Sequence, residues 1–292
     1  MADWMIKMAH LLEPLYERLK TELLKQPVIQ ADETTLNVIK EEKSTCYMWL
    51  YCTGTDSPDK SSAIANIVLY DYQASRAGAC PVNYLEGYNG YLQVDGYQGY
   101  EQTQATLAGC MAHARRKFIE AKKAQPKGKT GKADMALSLI QKLYGIESKL
   151  KEKSPADKRQ QRAQLANPLM DKLHRWLEQS HTRVAAKSKL GEAINYTLNQ
   201  WHKLERYLED GQLTIDNNRA ERAIKPFVIG RKNWLFANTA RGAHASAMLY
   251  SIIETAKANG LIPFDYLMHL LSELPKPNPN LDTMLPWQVK LG

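Results

Sequence analysis

A mixed α/β sheet with helices on its faces, interrupted by an inserted helical subdomain, is the fold class the sequence predicts, and three observations predict it. Three short runs rich in β-branched and aromatic residues, "VIQADETTLNVI" (28–39), "CYMWLYCTG" (46–54) and "NIVLYDYQ" (66–73), follow one another across short polar connectors, as sequential antiparallel strands do. A helix-like crossover, "RAGACPVNYLEGY", then leads to two further apolar runs, "YLQVDGYQGY" (91–100) and "ATLAGCMAHA" (105–114), so three antiparallel strands are followed by two parallel ones. Residues 127–210 are rich in Lys, Gln, Ala and Leu and show no strand-like alternation.

The elements follow in order. Residues 1–26 form an N-terminal helical segment, with apolar side chains from Trp4 to Leu24 at helical spacing and Pro14 dividing them into a docked pair of helices. Residues 27–126 hold the first part of the sheet. The basic insertion spans 127–210, with the tracts "PKGKTGK" and "KEKSPADKRQQR" at its helix breaks. Residues 211–274 complete the core: "TIDNNRAERAIKPFVIGRKNWLFANT" starts a helix that stops near Pro226 and ends in a short strand-like piece, and "ARGAHASAMLYSIIETAKANG" is a helix stopped by Gly260. The tail, 275–292, is Pro-rich and extended over the surface.

With 292 residues and 44% hydrophobic content the chain can bury a core, which excludes wholesale disorder. Cys46, Cys52, Cys80 and Cys110 form no C-x-x-C pair, so neither a disulfide framework nor a zinc ribbon is expected, and a reducing cytoplasm fits. No uninterrupted apolar run reaches membrane-spanning length. Residues 111–190 hold 20 Lys and Arg against 7 Asp and Glu, whereas the rest of the chain is net acidic. A segment so polarised suits a polyanion such as nucleic acid, or else a long solvated helix face.

Two acids stand where functional crevices form. Asp95 falls at the carboxyl end of the expected fourth strand, where ligands of open α/β sheets gather. Read instead as Asp-Gly between apolar runs, it is a hairpin-turn residue. Asp32 sits inside the first strand in "QADETT", as a ligand or a solvated edge residue. Carboxylates placed side by side repel one another unless a divalent cation joins them. Glu221 in "DNNRAER" is a third candidate, or the N3 member of a capping box begun by Asn218.

The stretches "ADETT", "VDGYQGY", "CMAHARRKF" and "DNNRAERAIKPFVIGRKNW", together with the "LPWQVK" tail, resemble the insertion sequence 66 family of bacterial DDE transposases from about residue 3 to the C-terminus. The resemblance implies an RNase H-like core whose acidic triad is Asp32, Asp95 and Glu221. It also implies two bound Mg²⁺ (or Mn²⁺) ions and metal-dependent phosphodiester hydrolysis at element ends, followed by 3′-hydroxyl strand transfer into target DNA. Partners implied are double-stranded DNA at element ends and target, further copies of the chain assembled on that DNA, and small accessory proteins, all in the bacterial cytoplasm with no membrane. The family's proteins are usually longer, with N-terminal DNA-recognition segments, so this chain reads as a fragment or a truncated copy. The alternatives are a host nuclease or resolvase on the same fold, and a DNA-binding relic without activity.

Cations suited to phosphates cluster around these blocks: Arg115, Arg116 and Lys117, then Arg219, Arg222, Lys225, Arg231 and Lys232. Lys225 reads equally as the partner of Glu221 on one helix face. Cys110 and His113 supply only two metal ligands, which favours a buried structural thiol over a zinc site. Tyr97, Tyr100 and Trp234 read as core or cleft wall, with base stacking the alternative.

Overall fold

The computed structural model describes residues 2–56, 58, 64–125 and 131–291. The break expected at "PKGKT", residues 126–130, and residues 57 and 59–63 of the loop between the second and third strands lie outside the described residues. In chain order the elements are α1 (Ala2–Leu24), β1 (Val28–Asn37), β2 (Thr45–Cys52), β3 (Val68–Gln73), α2 (Ala79–Tyr84), β4 (Tyr91–Gln93), a 3₁₀ turn (Gln98–Gln102), β5 (Thr106–Ala108), α3 (Met111–Lys123), α4 (Lys132–Leu150), α5 (Pro155–Leu165), α6 (Asn167–His181), α7 (Lys189–Asn199), α8 (Trp201–Leu204), a second 3₁₀ turn (Glu205–Leu208), α9 (Asn218–Trp234), α10 (Ala240–Ala258), α11 (Pro263–Glu273) and a last 3₁₀ turn (Leu281–Met284). The strands form one mixed sheet in the order β3-β2-β1-β4-β5, with β1–β2 and β2–β3 antiparallel. The chain divides into two units, one made of Met1–Leu92, Gln98–Ala105 and Asn218–Gly292, the other of Gln93–Tyr97 and Thr106–Asn217.

In the first unit, strand alternation sends Leu36, Val38, Cys46, Met48, Leu50, Cys52, Val68, Tyr70 and Tyr72 to one face, where they meet Ala220, Ala223, Ile224 and Phe227 of α9 and Ala243 and Ala247 of α10. On the other face Tyr84 of α2 stacks on Tyr51 with ring centroids 4.0 Å apart, and Tyr100 meets Trp49 edge-on at 5.6 Å. β3 is an outer strand, and α10 closes its open edge. Ser251 accepts the Tyr70 N–H at 2.8 Å, while the Thr255 hydroxyl accepts the Val68 N–H at 3.0 Å and donates to the Val68 carbonyl at 2.8 Å.

Both prolines expected to break helices lie inside them. α1 is a single helix through Pro14, held by Leu12, Leu15, Leu19 and Leu23, each fully buried. α9 likewise continues through Pro226 to Trp234, because Ala223, Ile224 and Phe227 pin both sides of it to the sheet. Proline costs each helix one backbone hydrogen bond, and the packed flanks outweigh that cost. The strand-like piece expected after α9 is reduced to one parallel bridge, Val38 to Ala237. The tail is not extended: it folds through turns and the last 3₁₀ turn, burying Met284 and Leu285, with the Tyr266 hydroxyl donating to the Met284 carbonyl at 2.6 Å and Arg18 paired to Asp282.

In the second unit α3 packs on α4 and α7, and α6 on both of those. The break expected within "KEKSPADKRQQR" is built from Ser154, which caps α5 by accepting the Asp157 N–H, and Pro155 in its first turn. Arg162 of α5 is only 2% exposed. Its guanidinium forks onto Glu147 at 2.9 and 2.6 Å and also donates to the carbonyls of Tyr207, Asp210 and Leu213 at 2.7, 3.0 and 2.9 Å. Among the described residues no helix is long and apolar enough to cross a membrane.

Asp71 on β3 lines a cleft of about 400 Å³ between α1, β3 and α10. Burial pushes its carboxyl from 3.8 up to about 6, opposed by the hydrogen bond from Gln73. The native state therefore binds more protons than the unfolded chain between those two values, and stability falls as pH rises through that window. Asp71→Asn is expected to remove this slope and to raise stability above pH 7 by on the order of 2 kcal/mol. Urea melts at pH 4.5 and 7.5 check it, and a variant with the wild-type pH slope would refute the assignment.

Candidate active site

β1 carries two adjacent acids, and alternation sends them to opposite faces. Asp32, paired in register with Leu50, shares the α9-covered face with Leu36 and with Thr34, whose hydroxyl receives Arg231 at 3.0 Å. It is half-buried, and its Oδ1 accepts the Glu33 N–H at 2.9 Å. Glu33, on the other face, is bound by the guanidinium of Arg76 and by the Tyr100 hydroxyl, and its side chain is only 3% exposed. Glu33 is thus a structural carboxylate that the sequence reading passed over. Its position beside Asp32 on a strand was the available signal.

Glu221 stands half-buried in the first turn of α9. That helix begins at Asn218, so Glu221 is its fourth residue, one position out of step with the capping box that Asn218 would have to begin. Burial pushes the Cys52 thiol up to about 11, with Arg219 lowering it and Asp56 and Asp32 raising it further. One thiol therefore feels both the acid of β1 and the first turn of α9.

Asp95 follows β4 and is half-buried. Its Oδ1 accepts the Tyr97 N–H at 2.8 Å, a local turn bond, and the chain then enters a 3₁₀ turn in place of a hairpin strand. The φ of Gly96 is not positive, so the type I′ hairpin geometry of the Asp-Gly reading is absent. The Gly96 Cα packs closely on Tyr196, since a Cβ there would lie 3.0 Å from the Tyr196 hydroxyl and the phenol would have to shift. Burial and then the charge of Asp95 raise the pKa of Tyr196, which sets the phenol beside the carboxylate. Two residues before Asp95, the fully buried Gln93 accepts from the Thr214 hydroxyl at 2.7 Å and donates to the carbonyls of Thr214 and Gly109. A lone amide in the apolar run "YLQVD" was the sequence signal for this anchor.

The sequence model of the IS66 transposase family matches residues 1–245, and that of the IS66 C-terminal element matches residues 251–287. The chain belongs to the IS66 transposase family. Three uncharacterized proteins of Sinorhizobium fredii are similar to it: y4qI is 31% identical over 99% of this chain and 56% of its own length, y4jD 32% over 98% and 58%, and y4hP 31% over 96% and 54%. The IS66 chain thus spans a little over half the length of these curated relatives. No solved structure matches it.

The cations of this IS66 chain fall into two groups. Arg219 and Arg222 both reach Asp56, at 2.9 and 2.6 Å, although Arg219, only 7% exposed, keeps Nε and Nη2 without a hydrogen-bond partner among the described residues. Arg231 donates to the Thr34 and Thr35 hydroxyls and to the Thr35 carbonyl. Lys225 and Lys232 stand exposed with no ion pair among the described residues, so the intrahelical bond from Lys225 to Glu221 is not made. Arg115, Arg116 and Lys117 lie exposed on α3.

All four cysteines are buried and unpaired. Cys110 precedes α3, where burial pushes its thiol up to about 12 and it accepts the Asn217 N–H at 3.2 Å. Tyr100 is fully buried and Trp234 lies edge-on to Phe227 at 5.4 Å, so both are core or wall residues.

Proposed function

We propose that this IS66 chain is the catalytic region of a DDE DNA transposase on an RNase H-like core, with Asp32, Asp95 and Glu221 as its metal-holding carboxylates. The observation that carries the reading is within one unit: Asp32 lies on the sheet face that α9 covers, and Glu221 lies in the first turn of α9. A donor set of carboxylates is hard and oxygen-only, as Mg²⁺ or Mn²⁺ requires. Two such ions, when bound, stabilise the attacking and leaving oxygens of an in-line phosphodiester displacement.

The chain's own residues do the rest. The Glu33 N–H donates to Asp32 and orients its carboxylate, and the Tyr97 N–H does the same for Asp95. Lys225 and Lys232, with Arg115 and Lys117 of α3, stand exposed to meet phosphates, and such contacts set register on the duplex without reading sequence. Water cleaves the strand at the element end, and the freed 3′-hydroxyl attacks a target phosphodiester, displacing its 3′ oxygen. No covalent protein intermediate is needed. Assembly of several copies on DNA, help from accessory proteins and a place at the bacterial nucleoid belong to the same proposal.

Joining of a pre-cleaved element end bearing a 3′-hydroxyl to plasmid DNA in Mg²⁺ or Mn²⁺ tests this reading. Joined product is the expected result. Cleavage without joining would make the chain a nuclease or resolvase, and absence of any metal-dependent activity would make it a DNA-binding relic.

A further inference from the structure

The end of α9 leaves large apolar side chains in solvent. Ile229 is 59% exposed, Leu235 62% and Phe236 47%, and Ile39, 54% exposed, joins them from the end of β1 through a 3.0 Å hydrogen bond to the Ala237 carbonyl. The backbone is bent to put them there. Trp234 turns inward against Phe227, then Leu235 adopts a φ of 65°, a left-handed conformation uncommon outside glycine, before Ala237 rejoins β1 at Val38. With Tyr100 and Trp234 committed to the core, these are the apolar groups of this region that reach outward.

The surroundings identify the occupant. From Arg222 to Ile253 the sequence holds no acidic residue and five Lys or Arg: Arg222, Lys225, Arg231, Lys232 and Arg241. Lys225, Ile229 and Lys232 follow at spacings of four and three, so they form one exposed stripe along α9 that begins beside Arg222, itself held by Asp56, and ends at Leu235 and Phe236. A second copy of the chain, docked on this face by a two-fold axis, would set these cations against themselves. DNA meets both demands, since its phosphates pair with the cations and its base faces accept an apolar tip.

We propose that Leu235 and Phe236 form a wedge that enters between base pairs of bound DNA and unstacks them. This rests on the transposase reading and adds the element that opens the duplex. The test uses a duplex carrying the terminal sequence of an IS66 element, with 2-aminopurine placed at successive positions around the cut. The wild-type chain is expected to raise fluorescence at one or two adjacent positions. The Leu235→Ala/Phe236→Ala variant is expected to give no rise while binding the same duplex within about tenfold, because insertion is offset by the cost of unstacking. Both side chains are exposed, so the variant is expected to melt as wild type does. Equal fluorescence from variant and wild type would overturn the wedge, as would a wild type that binds and cleaves with no rise. A chain that binds no duplex would overturn the transposase reading as well. Conversion of a DNA-free oligomer to monomer by the double variant, seen by light scattering, would make the patch a protein interface and the wedge wrong.

Discussion

Glu221→Gln is expected to lower metal-dependent cleavage by about 10³-fold, equivalent to about 4 kcal/mol of transition-state stabilisation, with duplex binding largely retained. The amide keeps the size of the carboxylate and its place in the first turn of α9 but removes the charge that a divalent cation needs. Asp95→Asn and Asp32→Asn are expected to act alike. Glu33→Gln provides the contrast, because Glu33 lies on the opposite face and is bound by Arg76 and Tyr100. Its loss is expected to lower the melting temperature and to leave the metal dependence of the folded fraction unchanged. Single-turnover cleavage across a Mn²⁺ titration separates the two behaviours. Wild-type cleavage by Glu221→Gln would end the assignment, and a Glu33→Gln variant that melts as wild type but has lost metal dependence would exchange the roles of the two acids.

Arg162→Ala is expected to destabilise the second unit by about 3 to 5 kcal/mol, the usual cost of removing one partner from a buried ion pair. Here the loss is compounded. Glu147, 15% exposed, would be left without its counter-ion, and the carbonyls of Tyr207, Asp210 and Leu213 would lose a common donor. Replacing Glu147 by Gln in the same chain is expected to recover only part of the loss, since those carbonyls remain unmet. Urea melts and limited proteolysis of the segment from Tyr207 to Leu213 check both statements. A loss below about 1 kcal/mol would show that water replaces the guanidinium.

What was legible in the sequence follows from how local each cause is. The strands read at 28–39, 46–54 and 66–73 appear at Val28–Asn37, Thr45–Cys52 and Val68–Gln73, because alternation of side chains is written residue by residue. The apolar run of 105–114 gave no such boundary, and the strand ends at Ala108 with Met111 already helical. Pro14 and Pro226 misled because a proline's local cost is visible in sequence while the burial that overrides it is not. Arg162 looks like any other cation of "KEKSPADKRQQR", and only the folded chain shows five hydrogen bonds converging on it. Asp32, Asp95 and Glu221 stand out as candidates because long blocks surround them. Glu33, which binds the Arg76 and Tyr100 side chains, and Gln93, which binds the Gly109 and Thr214 carbonyls, lie among those same blocks without announcing a task.

The hydroxyls of Ser251 and Thr255 make one face of α10 serve as a surrogate sixth strand. Four helical residues rise about 6 Å and two strand residues about 6.8 Å, close enough for a helix to answer alternate groups of an extended chain. The matched residues lie 181 and 187 positions apart in sequence. During synthesis β3 therefore emerges long before its cover, and its open edge is a template for other chains until α10 leaves the ribosome. Removing both hydroxyls is thus a change whose first consequence falls on the yield of folded protein.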